Sequence, residues 1–177
     1  MMREMRIFLL FTAVILFRGE TALPASADYC DQYNVTWNSQ SQNSSESMPL
    51  GGGDVGLNVW VENNELLFYL SQSGAFDENN SFLKLGRIRL RTTPNLFEPG
   101  GRFCQQLNLR DGSVAITGCR DGKTVEILLW VDVFRPVVHI DINSDTPLLT
   151  EAQYETWRTE DRPVPPEYRS VCFSYTG

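Results

Sequence analysis

Residues 48–80, MPLGGGDVGLNVWVENNELLFYLSQSGAFDENN, decide the fold. A two-residue turn at Asn63-Asn64 sets Leu57, Val59 and Val61 opposite Leu70, Phe68 and Leu66, and on the other side pairs Asn58 with Tyr69 and Trp60 with Leu67. One face of this hairpin is wholly apolar and the other mixed, the pattern of an antiparallel pair with one buried face. Asparagine tolerates the positive φ that such a turn demands. Both flanking polar loops, Gly51-Gly52-Gly53-Asp54 and residues 71–78, leave at the end opposite the turn. That end is the candidate working edge.

Further strands follow outward from the hairpin. Residues 82–92 alternate as Leu83, Leu85 and then Ile88, Leu90, so a bulge at Gly86 is expected to keep both halves on the core, with Arg87, Arg89 and Arg91 on the opposite, solvated face beside acidic neighbours. A turn at Asp111-Gly112 joins residues 102–110 to 113–119, placing Phe103, Leu107, Leu109, Val114 and Ile116 on an apolar face and Cys104 directly opposite Cys119. Asp121-Gly122 feeds a strand over 123–134, completing a meander. Pro136 interrupts the pattern before a strand over 137–143, which marks an edge or a bend between sheets. Residues 33–37 read as a short first strand and 38–47 as a loop, while 147–157 fit both a strand and a short helix. Short strands separated by turn residues, with no amphipathic helix, specify an all-β, antiparallel sandwich.

The N-terminus carries Arg3 and Arg6, an apolar run over residues 7–17 and the small-residue cleavage pattern Ala25-Ser26-Ala27. Residues 1–27 read as a cleaved signal peptide, giving a secreted, extracellular product without membrane attachment. The apolar run falls short of the roughly 20 residues that span a bilayer. Residues 28–157 then form the sandwich domain, and residues 158–177, with Pro163, Pro165 and Pro166, form an extended linker or the truncated start of a following region. Loss of three Arg and two Glu with the signal leaves 12 basic against 20 acidic residues, net −8. Such a domain is a poor partner for nucleic acid or anionic membranes.

Four cysteines in an oxidising compartment point to two disulfides, and of the three possible pairings hairpin geometry selects Cys104–Cys119, leaving Cys30–Cys172. With no Cys-x-x-Cys and a single histidine, His139, no metal site is expected. The sequons at Asn34, Asn43 and Asn79 lie in polar stretches and are glycan acceptors in a host that glycosylates secreted proteins. His139 sits inside a strand, where a hydrogen-bonded, half-buried role fits better than catalysis. Gly51-Gly52-Gly53 lacks the following Lys-Ser/Thr of a phosphate loop and reads as a strand-entry turn needing positive φ or close backbone approach. No cofactor is implied. Asp54, Asp77 and Glu78 could approach one another at the working edge, and Trp37 and Phe76 offer ring faces to a sugar, whereas Trp60 is expected to pack under a second layer.

Trp37, MPLGGGDVGLNVW at 48–60, LFYLS at 67–71, AFDE at 75–78, LKLGR at 83–87 and Trp157-Arg158 together resemble a secreted domain family of unknown function, numbered 5703. That family is found N-terminal to six-hairpin, glycosidase-like helical toroids. It is similar in layout to the N-terminal β-supersandwich of family 95 fucosidases, which share the Pro-Leu-Gly-x-Gly opening. Gly52, Gly74 and Phe76 stand where the pattern favours Asn, Asp and Trp. In glycosidases of this layout the catalytic carboxylates come from the helical domain, so the resemblance transfers no catalytic residue here. It implies a non-catalytic module of a glycosidase-like protein with a helical toroid or carbohydrate as partner, for which the residues read above, Trp37, Asp54, Phe76, Asp77 and Glu78, are the candidate contacts. A freestanding carbohydrate-binding or protein-interaction domain is the alternative, and an independent hydrolase would need the loop carboxylates to act as a pair. N-terminal sequencing of the secreted protein should start near Asp28; a product retained in membranes and beginning at Met1 would instead indicate an anchor.

Overall fold

The turn at Asn63-Asn64 forms with φ of +52° and +67°, and the hairpin register is the one its apolar pattern requires, with Leu57 opposite Leu70 and Val61 opposite Leu66. Around it, the computed structural model describes residues 29–77 and 82–160. These form β1 (Val35–Trp37), β2 (Met48–Gly52), β3 (Val55–Glu62), β4 (Glu65–Phe76), β5 (Phe82–Thr93), β6 (Arg102–Asn108), β7 (Ser113–Arg120), β8 (Lys123–Val131), β9 (Val138–Ser144) and β10 (Leu149–Glu155). Two antiparallel five-stranded sheets result, ordered β1-β6-β7-β8-β9 and β10-β5-β4-β3-β2. No α-helix occurs among the described residues.

The two inner faces share one core. Leu57, Val59, Val61, Leu66 and Phe68 from one sheet meet Val114, Ile116, Val125, Ile127 and Leu129 from the other. Gln105 is buried between them and stays hydrogen-bonded, its Nε2 donating to Val59 O at 3.2 Å. That bond removes the penalty of an unpaired buried amide. Trp60 and Leu67 point the other way yet are also buried. Tyr69 packs on Trp60 at 4.9 Å and Trp157 on Tyr69 at 5.8 Å, while the Trp60 indole donates to Glu62 Oε2 at 2.9 Å. The 38–47 loop contains a 3-10 turn, Ser44–Glu46, and clips to β3 through Ser41 N–H and Val61 O at 2.8 Å.

Three expectations need correction or completion. The second hairpin closes through a four-residue turn, so Cys104 faces Thr117 and Cys119 faces Arg102. Both thiols are free, and Cys104–Cys119 is not a disulfide here. Diagonal neighbours on paired strands stand about 7–8 Å apart, too far for a bridge that wants about 3.5–4.5 Å between Cβ atoms. The wider turn is held from outside the hairpin: Asn34 Oδ1 accepts the Leu109 N–H at 2.9 Å, and Arg110 pairs with Asp31. Leu109 is consequently exposed rather than on the apolar face. Cys172, the other half of the Cys30 pairing, lies outside the described residues.

The second correction concerns β5. Leu70 pairs with Gly86 and Ser71 with Lys84, so the extra residue is Leu85, beside the glycine, and it is 39% exposed. Tyr154 from β10 explains the arrangement. A Cβ on Gly86 would lie 2.5 Å from its ring, and its hydroxyl donates to Leu85 O at 2.6 Å. An aromatic ring thus covers the gap that glycine leaves in a strand. The third point is resolved by the same strand, since residues 149–155 pair along β5 rather than forming a helix.

The arginine stripe is consumed by ion pairs running Arg87, Glu155, Arg89, Glu65, Arg91 across β5, β10 and β4. Burial would raise the Glu65 carboxyl, but hydrogen bonds from Arg91 and Arg89 outweigh it and hold the group below its usual range. Glu155 is lowered by Arg89 and then Arg87, against partial burial. A depressed folded-state pKa contributes stability that is present above the unfolded carboxylate value and is lost as pH falls through the folded one. Chemical denaturation should therefore show stability falling below about pH 5. Glu155→Gln should flatten that slope and cost about 1 kcal/mol at neutral pH, the upper range for a surface pair.

Candidate functional site

The site is built where loops of both sheets meet, at the end opposite Asn63-Asn64. Gly52 pairs with Val55 across the two-residue turn Gly53-Asp54, and Gly53 takes a φ of +55° that disfavours a side chain. Close approach is the second reason for glycine. A Cβ on Gly52 would lie 2.6 Å from Val131 O and one on Gly53 2.9 Å from Val133 O. The turn therefore lies directly against the loop after β8, backbone to backbone.

That loop, residues 132–137, is tied by its own residues. Asp132 N–H donates to Val137 O at 3.0 Å and Val137 N–H to Arg135 O at 2.7 Å. Asp132 Oδ1 accepts the Phe134 N–H at 2.8 Å, and Oδ2 accepts Arg135 Nε at 2.7 Å. The Phe134 amide first, then Arg135, hold the Asp132 carboxyl below its usual range. Asp132 is an anion with both oxygens engaged, which suits a clamp and not a proton donor. Phe134 projects from this clamp 93% exposed, beside Val133 at 60%.

On the other flank Asp54 O accepts the Ser73 N–H at 2.8 Å, and β4 runs on past that point to Phe76. Phe76 pairs with Phe82 on β5, their rings edge to face at 5.6 Å and both about half exposed. Asp77 follows immediately. Asp54 and Asp77 thus leave the sandwich at one end, with Asp77 four residues further along the chain than the position paired with Asp54. Glu78 and Asn79 lie outside the described residues. Trp37 is not brought to this end: on β1, the edge strand of the other sheet, it pairs with Gln105 and packs against the core.

Elsewhere, Asn43 is exposed and its side chain accepts from Ser45 N–H at 2.9 Å, while Asn34 is half-buried and occupied with Leu109. His139 is half-buried, as its strand position suggests, and lies flat on Trp130 at 3.8 Å. Contrary to the hydrogen-bonded role expected for it, its Nε2 is buried without a partner among the described residues. Among those residues no three His, Cys, Asp or Glu side chains gather as a metal set. The strand expected over 123–134 ends at Val131, and the apolar residues Val133 and Phe134 made its continuation through Asp132 look like strand. The available signal was an Asp two residues before a bonded amide and three before Arg135, an Asx-turn pattern.

A family model described as a domain of unknown function (DUF5703), in its N-terminal part, matches residues 36–176. A search of curated proteins finds none that matches. The glycine contact generates a stability prediction. Gly52→Ala should force Val131 away and cost about 1–3 kcal/mol, as overpacking does, read as a lower denaturation midpoint at unchanged slope.

Proposed function

The chain belongs to the DUF5703 N-terminal domain family, and on that footing we propose that it is a non-catalytic β-sandwich module of a secreted, glycosidase-like protein. Its partner in this reading is a helical toroid domain, met by the open end of the sandwich. The observation that supports it is Phe134, almost wholly exposed yet carried by a loop that Asp132 holds fixed. Aromatic side chains on ordered supports make effective interface anchors, because little conformational freedom is lost when they dock. Asp54 and Asp77 supply polar groups around this apolar centre, as interface rims do.

A carbohydrate-binding role is the second reading, favoured by the exposed rings of Phe76 and Phe82. Those rings meet edge to face, which leaves no paired flat platform, so the docking reading is preferred. The test titrates the chain with a separately produced six-hairpin toroid domain and, in parallel, with soluble oligosaccharides. Binding to the toroid, weakened at least about tenfold by Phe134→Ala with the melting temperature unchanged, is the expected result. Saturable oligosaccharide binding lost on Phe76→Ala, with no affinity for the toroid, would replace docking by sugar recognition.

A further inference from the structure

At the opposite end of the same molecule, the outer face of β6, β7 and β8 gathers chemistry that the docking end does not use. Arg102, Cys119 and Thr124 stand in one cross-strand row, and Cys104 and Thr117 in the next. Because side chains alternate along a strand, all five share one face. Together with Asn38 they line a cleft of about 660 Å³. Arg102 Nη2 donates to Cys119 Sγ at 3.6 Å. That bond first, and one from the Thr124 side chain, hold the Cys119 thiol below its usual range, opposed by partial burial and by the Asp145 carboxylate. Asp145 is itself engaged, accepting the Thr124 N–H at 2.9 Å.

We propose that Cys119 is a thiol-exchange site that takes an anionic, carboxylate-bearing low-molecular-weight disulfide into this cleft and ends as a mixed disulfide. The Cys119 thiolate attacks one sulfur of the reagent. A Cys119–sulfur bond forms, the reagent's own sulfur–sulfur bond breaks, and its other half leaves as a thiolate that takes a proton from water. Cys119 is oxidised by the disulfide it consumes, and no further oxidant enters. Arg102 has a role at both stages. One of its N–H groups faces the sulfur, and the remaining guanidinium donors are suited to a carboxylate. That local cation matters on a chain of net charge −7, which otherwise repels anions. Cys104 lines the same cleft without such a neighbour in its row, where it faces Thr117.

The experiment exposes the full chain to oxidised glutathione and, separately, to the neutral 2-hydroxyethyl disulfide, following adducts by intact mass and peptide mapping. Cys119 should be modified about tenfold faster than Cys104, in line with the dependence of exchange on thiolate fraction. Cys119→Ser should abolish the fast adduct. Arg102→Gln should slow reaction with oxidised glutathione more than with the neutral disulfide, and Arg102→Lys should restore part of the difference; thermal melts confirm that each variant is folded. Equal rates at the two cysteines, no dependence on Arg102, or direct closure of Cys104 onto Cys119 in place of a stable adduct would each overturn the assignment.

Discussion

The parity of β3 and β4 is the constraint on which the remaining structure depends. With a two-residue turn at Asn63-Asn64, every odd position from Leu57 to Val61 faces the second sheet and every even one faces away. A shift of one residue would bury Asn58 and expose Val59 and Phe68, which the core cannot tolerate. Once that face is fixed, β2 and β5 must add on either side in matching register. The second sheet then supplies Val114, Ile116, Ile127 and Leu129 as the complementary layer.

The same parity would leave Trp60 and Leu67 on a wet face. The fold resolves this by covering that face with side chains. Tyr69, Trp157 and the ion-paired arginines of β5 roof it over, so an apparently exposed aromatic is wholly buried. The arginine stripe is therefore structural on this chain. Its guanidinium groups are engaged by Glu65 and Glu155, and long arginine stems can shield apolar surface while their heads stay paired.

Features set by neighbours in sequence were legible, and those set by distant partners were not. Asn63-Asn64 and Asp121-Gly122 carry their own conformational preference, and both turns form with positive φ where that preference places it. Asp111-Gly112 looked equivalent, yet the turn there has four residues, with its Leu109 amide bound by Asn34 from 75 residues away, and Cys104 and Cys119 are out of opposition. Leu85 is bulged by a tyrosine from a strand whose type was itself ambiguous. At the working end, the glycines signalled close approach without saying to what; the answer, Val131 and Val133, follows only from sheet-on-sheet packing. Phe134 was hidden because Val131, Val133 and Phe134 read together as the apolar end of a strand, while the Asp132 clamp that follows the strand acts across only two or three residues.

Those two ends divide the chemistry of the molecule. At the end that carries Phe134, Asp132 has both oxygens committed to holding a loop, and Asp54, in the turn before β3, contributes a backbone carbonyl to Ser73 N–H on β4. General acid catalysis needs a carboxyl able to keep a proton near neutral pH, and a clamp that stabilises the anion works in the opposite direction. What this end offers instead is rigidity beneath an exposed ring, since Gly52 and Gly53 lock the two sheets together directly under the loop bearing Phe134. A surface whose position is set by backbone contact between layers keeps an exposed ring in place with little conformational freedom left to lose on contact, and that property supports the docking role proposed for it.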